Sequence, residues 1–143
     1  MMSAFTRSVY KNMVACIAMS SILIIEDDEE LAPLIGQALK EGGHSSQVAL
    51  DGVQAMALVR QMHPALIILD FLFPAGGGAA FHQRLRLSQH TRDIPVLILS
   101  SVAEEKVLKS VDMDGRTYYL AKPYKKDELL AMVGQILGSG LDF

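Results

Sequence analysis

Three short runs of large apolar residues, each continuous rather than alternating, divide the chain at 22–25, 66–69 and 96–99. Continuous runs rich in isoleucine, valine and leucine are typical of strands buried on both faces, as in a parallel sheet. Two shorter and half-polar runs, at 46–50 and 118–121, predict strands nearer the edges of that sheet. The hydrophobic pattern therefore predicts five strands.

Between these runs, apolar residues recur at the spacing of amphipathic helices. The first and the last of five such stripes are the longest, and they comprise Leu31, Leu34, Ile35, Ala38 and Leu39, and Leu129, Met132, Val133, Ile136 and Leu137. The three shorter stripes comprise Ala55, Leu58, Val59 and Met62, then Phe81 and Leu85, then Val107 and Val111. Gly42 and Gly43 predict the end of the first helix, and Pro64 the end of the second. Five strands alternating with five helices predict an α/β fold, a (β/α)5 chain with a doubly wound parallel sheet.

Composition limits the range of functions. The chain has 143 residues, half of them apolar and a fifth charged, which suits one globular domain. A net charge of −3 gives no electrostatic reason for this domain to bind nucleic acid. Cys16 is the single cysteine, so no intrachain disulfide is expected and a cytoplasmic location fits. No apolar run approaches the ~20 residues that span a bilayer, and no membrane association is expected.

The two ends of the chain fall outside the predicted core. In residues 1–20, Arg7 and Lys11 precede a short apolar patch that resembles a secretory signal only faintly, without a clear cleavage site. We interpret this segment as an N-terminal extension, with Met19 as an alternative start. Residues 21–138 form the predicted domain, and residues 139–143 a tail or linker stub. The domain is either a stand-alone protein or a piece of a longer one.

Polar residues follow the predicted strands at the point where each strand ends. Glu26 and Asp27 follow the first strand, Asp70 the third, Ser100 the fourth and Lys122 the fifth. Ligands of such sheets bind outside the carboxyl ends of the strands, near the point where the strand order reverses. We therefore expect carboxylates, a hydroxyl and an ammonium group to converge on one edge of the sheet.

The remaining acids of the ILIIEDDEE stretch have a different interpretation. Asp28, Glu29 and Glu30 precede Pro33, which is tolerated only in the first turn of a helix. Carboxylates at the start of a helix are favoured by its positive N-terminal end. Asp28 is therefore left outside the predicted metal-binding set.

From about residue 21 to 138, the chain resembles the receiver domain of bacterial two-component response regulators. The segments that carry the resemblance are ILIIEDD, PALIILDFLFP, IPVLILSS and YYLAKPY, in this order. The resemblance implies a flavodoxin-like sheet with the strand order 2-1-3-4-5. It also implies a signalling switch, in which a histidine kinase or a phosphotransfer protein donates a phosphoryl group to an aspartate in the presence of Mg²⁺.

The same resemblance assigns roles to the residues at the strand ends. Asp70 would be the phosphoacceptor, Lys122 would neutralise charge on the phosphoryl oxygens, and the Ser100 hydroxyl would donate a hydrogen bond to one of them. Mg²⁺ prefers oxygen ligands. Its implied ligands are Asp27, Asp70 and the backbone carbonyl of Leu72, with Glu26 acting through water.

Phosphorylation is implied to change an output face around the fourth helix, the fifth strand and the fifth helix. Tyr119 matches the aromatic residue that turns inward when Ser100 responds to phosphate, although it also fits an ordinary edge-strand tyrosine. The bond from Lys122 to Pro123 matches one that the family holds in cis. The downstream protein target cannot be read from the sequence.

Two other functions were weighed. A receiver-shaped interaction module that never takes phosphate would not need the full set of Asp70, Asp27, Ser100 and Lys122. A phosphohydrolase resembling the haloacid dehalogenase group would need a second aspartate where Leu72 stands, so we do not expect an enzyme.

Two further patterns were interpreted as unrelated to function. The run at 76–78, three glycines, is expected to be a flexible turn and departs from the Asp-Gly that is common in the family. The four histidines lack the spacing of metal ligands and are expected at the surface or at helix ends; they are His44, His63, His82 and His90.

Overall fold

The computed structural model of the chain describes residue 3 and residues 21–72, 77–112 and 114–138. Five strands alternate with five helices along these residues. In chain order they are β1 (Ser21–Ile25), α1 (Leu31–Glu41), β2 (Ser45–Ala49), α2 (Gly52–Met62), β3 (Leu66–Asp70), α3 (Gly77–Leu87), β4 (Val96–Ser100), α4 (Glu104–Ser110), β5 (Thr117–Ala121) and α5 (Lys126–Gly138). The C-terminal tail, and all of the N-terminal extension except Ser3, lie outside the described residues.

The five strands form one parallel sheet in the order β2-β1-β3-β4-β5, which confirms the predicted fold. The strand register brings the carboxyl ends of the central strands to one edge. Ile25 lies beside Leu69, and Asp70 lies beside Leu99. The chain therefore leaves β1, β3 and β4 next to one another, and the order reverses between β1 and β3.

A separate hydrophobic core covers each face of the sheet. The core that α2, α3 and α4 cover is formed by Leu23, Ile25, Ala49, Ala55, Met56, Val59, Ile67, Leu69, Phe81, Leu85, Val96, Ile98, Val107 and Val111. The core that α1 and α5 cover is formed by Ile22, Ile24, Ile35, Ala38, Leu39, Leu66, Ile68, Leu97, Leu99, Leu129, Val133 and Ile136. Both faces of the central strands are buried, which explains why their apolar runs are continuous.

The apolar stripe of α1 is wider than the face that it buries. Ile35 and Leu39 lie in the core, but Leu31 and Leu34 of the same stripe are 37% and 66% exposed. These two leucines line an open groove of about 560 Å³ between α1 and the start of α5. The helical spacing identifies an apolar side of α1 but not how far the neighbouring helix extends over it.

The expected surface position of His82 is wrong. His82 is only 2% exposed, and its Nε2 lies 2.8 Å from Oγ1 of Thr117. The same hydroxyl donates to Oδ1 of Asp114 at 2.9 Å, and Arg86 forms an ion pair with that carboxylate. These polar partners make the burial of an imidazole tolerable. By contrast, His63 ends α2 in a left-handed conformation with φ of 44°, which is the expected helix-end position.

The glycine run is also not the expected flexible turn. Gly77 and Gly78 form the first turn of α3, and Gly76 lies outside the described residues. Gly77 has a φ of 76°, in the left-handed region that glycine adopts without strain. Gly77 and Gly78 therefore begin a helix, and the left-handed φ of Gly77 sets the direction from which the chain enters it.

In the part of the chain that the structure describes, no helix combines the length and the hydropathy needed to cross a bilayer.

Candidate functional site

Three acidic side chains converge at the carboxyl edge of the sheet, as the order of the strands requires. Glu26 directly follows β1, and its N–H donates to the Ala49 carbonyl at 3.2 Å, so the residue continues the β1–β2 pairing. Asp70 is the last residue of β3. One carboxylate oxygen from each of Glu26, Asp27 and Asp70 lies within 4.8 Å of the other two. The predicted acid cluster is thus present as a geometric unit.

Burial distinguishes the three carboxylates from one another. Glu26 and Asp70 are 2% and 8% exposed, whereas Asp27 is exposed to solvent. Asp28 points elsewhere, because its Oδ1 accepts from the backbone N–H groups of Glu30 and Leu31 at 2.8 and 3.2 Å, at the start of α1. Asp28 therefore acts as a local helix cap, as its interpretation from the sequence requires.

Glu26 is held in an unfavourable environment for a carboxylate. Burial and the neighbouring charge of Asp70 raise the pKa of Glu26 from 4.5 to about 7, although the Asp28 N–H and Lys122 oppose that change. Among the described residues, no group donates a hydrogen bond to its Oε2. A buried carboxylate oxygen without a donor is costly, so this atom has capacity for a further ligand.

Lys122 provides the positive charge nearest to this cluster. It directly follows β5, and its N–H donates to the Ser100 carbonyl at 2.8 Å. Its Nζ lies 3.7 Å from Oε2 of Glu26 and 3.7 Å from Oδ1 of Asp70. These distances exceed a direct hydrogen bond, so Lys122 attracts both carboxylates without saturating them. The bond from Lys122 to Pro123 is cis.

The donor set fits a hard divalent cation. Three carboxylates within 4.8 Å of one another provide oxygen ligands and a concentrated negative charge. The orphan Oε2 of Glu26 adds a buried acceptor that a cation or its bound water can satisfy. One lysine at 3.7 Å leaves the cluster with a net negative charge.

A hydrogen bond links the Asp70 side chain to the backbone that follows it. The N–H of Leu72 donates to Oδ1 of Asp70 at 3.1 Å, so the carboxylate is oriented by the turn after β3. The Leu72 side chain itself is 60% exposed.

Ser100 and Tyr119 are both hydrogen-bonded to Val102, in the loop after β4. Ser100 is 1% exposed, and its Oγ accepts from the N–H of Val102 at 2.9 Å. The hydroxyl of Tyr119 donates to the Val102 carbonyl at 2.6 Å, while its ring packs partly buried against the core beneath α2, α3 and α4. Val102 is thus hydrogen-bonded through its backbone to both the Ser100 hydroxyl and the Tyr119 hydroxyl.

Two residues near the site were not singled out in the sequence. Tyr124, two residues after Lys122, lies close enough that the charges of Glu26 and Asp70 add to burial in raising the pKa of its phenol. Tyr124 lies in the YYLAKPY segment, which carries part of the family resemblance, and this position could have pointed to it from the sequence. Gly78 packs on the backbone of Asp70, and no local pattern distinguishes it from its glycine neighbours.

The chain is similar in sequence to known proteins. Residues 22–134 match the sequence profile described as the response regulator receiver domain. The transcriptional regulator RpaA of Synechocystis is 38% identical over 120 residues, which cover 83% of this chain and 49% of RpaA. The chain spans about half the length of the curated relatives it matches.

Two solved structures share the fold. A receiver domain of the Francisella response regulator 1452 aligns with a TM-score of 0.72 at 27% identity, covering 85% of this chain and 98% of that one. The receiver domain of the sensor histidine kinase PA1611 of Pseudomonas aeruginosa aligns with a TM-score of 0.75 at 25% identity, covering 84% and 98%. That structure holds a magnesium ion in its active site cleft.

Proposed function

The chain belongs to the response regulator receiver domain family, and we propose that it is a phosphorylation-activated switch in which Asp70 accepts the phosphoryl group. Receiver domains are signalling domains and are generally not enzymes. The observation that carries the proposal is the position of Asp70, which lies within 4.8 Å of two further carboxylates and 3.7 Å from the Lys122 ammonium. The switch comprises residues 21–138.

The proposed reaction is an in-line displacement at phosphorus. An oxygen of Asp70 forms the new bond to phosphorus while the bond between phosphorus and the donor breaks, and the donor keeps the electron pair. The donor is the phosphohistidine of a histidine kinase or a phosphotransfer protein, or a small acyl phosphate. Such a transfer needs positioning and charge neutralisation rather than covalent help from the protein. The hydrogen bond from Leu72 N–H to Oδ1 of Asp70 supports that positioning.

Receiver domains bind Mg²⁺ in an acidic pocket, and we assign the metal-binding role here to four residues. Asp27, Asp70 and the Leu72 carbonyl would hold the ion directly, and Glu26 would act through water. Held by these residues, a bound ion would supply positive charge that neutralises the phosphoryl oxygens.

Lys122 and Ser100 complete the proposed site. The Lys122 ammonium, already drawn to Asp70, would move onto a phosphoryl oxygen, because a charge-assisted hydrogen bond is stronger than an ion pair at 3.7 Å. The Ser100 hydroxyl would donate to another oxygen, which it can do while its Oγ still accepts from the Val102 N–H.

In the proposed output, the contact with the phosphoryl group draws Ser100 and the loop after it towards Asp70. Tyr119 binds the Val102 carbonyl, so a displacement of the loop after Ser100 breaks or moves this hydrogen bond. The proposed output face is formed by α4, β5 and α5, and its target is a downstream protein. DNA binding is named for RpaA, which is about twice as long as the matched region. We propose no direct nucleic-acid contact for this chain, because its net charge is −3.

The test is labelling with radioactive acetyl phosphate. Wild type is expected to incorporate phosphate only with Mg²⁺, and Asp70→Asn, which keeps the shape of the side chain, is expected to fold but remain unlabelled. Asp28→Asn is the matched control, since asparagine still caps α1 and Asp28 lies outside the metal-binding set. Labelling of Asp70→Asn at the wild-type rate would contradict the phosphoacceptor assignment. A wild type that is never labelled would favour the phosphorylation-independent interaction module.

A further inference from the structure

The first turn of α3 rests directly on the backbone that follows Asp70. The N–H of Gly78 donates to the Phe71 carbonyl at 3.0 Å. A Cβ atom on Gly78 would lie 2.8 Å from that oxygen, 2.9 Å from the Asp70 carbonyl oxygen and 2.9 Å from Cα of Phe71. Real Cβ atoms essentially never approach other atoms within 3.0 Å, and all three neighbours belong to the backbone. No side chain therefore fits at position 78 unless one of the two segments moves.

The end of β3 cannot move easily to make room. Asp70 pairs with Leu99 of β4, and the Phe71 N–H continues that pairing by donating to the Leu99 carbonyl at 3.0 Å. β3 lies between β1 and β4, so a displacement of its end would break hydrogen bonds in the centre of the sheet.

Helix α3 is anchored as well. Phe81 and Leu85 are 4% and 0% exposed in the core, and His82 is hydrogen-bonded to Thr117 at the start of β5. A side chain on Gly78 would therefore push against two fixed elements. The strain therefore falls on the backbone of Phe71, which the new Cβ would meet, and on Leu72 beside it.

That segment carries two features of the proposed site. The Leu72 N–H orients the Asp70 carboxylate at 3.1 Å, and the Leu72 carbonyl is the proposed backbone ligand of the metal. We propose that Gly78 is a positioning residue for Asp70: its missing side chain lets α3 hold the backbone of residues 70–72 in the geometry that metal binding and phosphoryl transfer need. This inference rests on the function proposed above.

The experiment compares Gly78→Ala with wild type in two measurements on folded protein, the Mg²⁺ dissociation constant and the initial rate of labelling by acetyl phosphate. The chain has no tryptophan, so Mg²⁺ binding is followed by calorimetry. We expect the dissociation constant to rise and the labelling rate to fall, each by about tenfold or more. The reason is that a displacement of about 1 Å near reacting groups can cost about 100-fold in rate.

Two control variants separate positioning from a general loss of stability. Gly134→Ala adds the same methyl group in α5, where the new Cβ would have no heavy atom of the described residues within 4 Å apart from its chain neighbours and the backbone of its own helix, and should leave both measurements unchanged. Val133→Ala removes buried contacts in the other core and should lower the melting temperature without weakening Mg²⁺ binding by folded protein. The inference would be overturned if Gly78→Ala showed the wild-type dissociation constant and labelling rate. It would also be overturned if Gly78→Ala, like Val133→Ala, lost Mg²⁺ binding and labelling only in proportion to its unfolded fraction.

The outcome can be separated from that of the proposed function. If wild type binds Mg²⁺ and is labelled while Asp70→Asn is not, the proposed function stands whatever Gly78→Ala shows. An unlabelled wild type would count against the function itself.

A measurement on wild type decides the inference if Gly78→Ala does not fold. Because the Leu72 carbonyl would hold the metal, Mg²⁺ should stabilise the neighbouring backbone of Phe71, whose carbonyl accepts a hydrogen bond from the Gly78 N–H. Hydrogen exchange of that amide should slow by about tenfold when free Mg²⁺ is about ten times its dissociation constant. The His63 amide, which donates to the Val59 carbonyl at the end of α2, should slow much less. Equal changes at both amides, or none at Gly78, would overturn the inference.

Discussion

Replacing Glu26 by glutamine should stabilise the metal-free protein at high pH and not at low pH. Glutamine keeps the shape of the side chain but removes the charge that burial and Asp70 disfavour. The pKa of Glu26 is raised from 4.5 to about 7, and at 1.36 kcal/mol per pKa unit this corresponds to about 3 kcal/mol. The variant should therefore gain up to about this amount of unfolding free energy once Glu26 is ionised in wild type.

The direction of the pH dependence follows from proton binding. Between pH 4.5 and about 7, folded wild type keeps a proton on Glu26 that the unfolded chain has lost. The stability of metal-free wild type that comes from this group is fully present below pH 4.5 and is lost as the pH rises towards 7. Glu26→Gln lacks this loss, so the difference between the two proteins should grow with pH over this window.

The assay is urea unfolding followed by circular dichroism, at about pH 4.5 and about pH 8, with a chelator and then with saturating Mg²⁺. Mg²⁺ should shrink or reverse the advantage of Glu26→Gln, since the ion replaces the proton as the group that neutralises Glu26. Glu29→Gln is the matched control, because it removes one exposed charge at the start of α1 and should show no comparable pH dependence. An equal difference at both pH values, or a less stable Glu26→Gln at high pH without metal, would refute the reasoning.

Three further predictions concern the metal, the lifetime of the phosphoryl group and the buried histidine. Mg²⁺ at ten times its dissociation constant should add about 1.4 kcal/mol of stability, and Asp27→Ala should abolish the resulting rise in melting temperature; an unchanged rise would contradict the metal assignment. Leu72 and Val102 stand two residues after Asp70 and Ser100, and by resemblance to the family these positions flank the approach of the water that attacks the phosphoryl group. Their apolar side chains cannot orient that water, so phosphorylated wild type should decay slowly, and Leu72→Asn/Val102→Glu should decay faster by up to about 100-fold. Equal decay of the purified phosphoproteins would defeat this prediction. Burial, with a smaller contribution from Arg86, lowers the pKa of His82 from 6.5, so its contribution to stability should be lost as the pH falls below 6.5. His82→Gln should show a weaker acid loss in thermal unfolding, and an identical pH profile would count against this explanation.

The residues proposed for the site could be selected from the sequence because each lies at the end of a recognisable strand. A continuous apolar run that stops at an acid, a hydroxyl or a lysine indicates both the strand and the side of the sheet on which the polar group emerges. Asp70, Ser100 and Lys122 were found in this way, and the structure places Asp70 and Lys122 3.7 Å apart. The strand order came from the family resemblance, since periodicity alone does not order parallel strands.

Only the tertiary structure could decide which side chains are buried and which backbone segments touch. Glu26 and Asp27 are neighbours of the same type, yet one is buried beside Asp70 and the other faces solvent. The sequence could not predict this difference, because burial depends on what other elements place around each side chain.

The same reason accounts for the other misses. His82 is buried because Thr117 of β5, which lies 35 residues away in the chain, supplies a polar partner. Gly78 differs from its neighbours because it meets the end of β3, a contact set by how α3 docks on the sheet. The sequence by itself determined the elements and the residues at their ends, since these depend on local patterns. Distances, burial and the close approach of helix to strand depend on several segments at once, and the tertiary structure decided them.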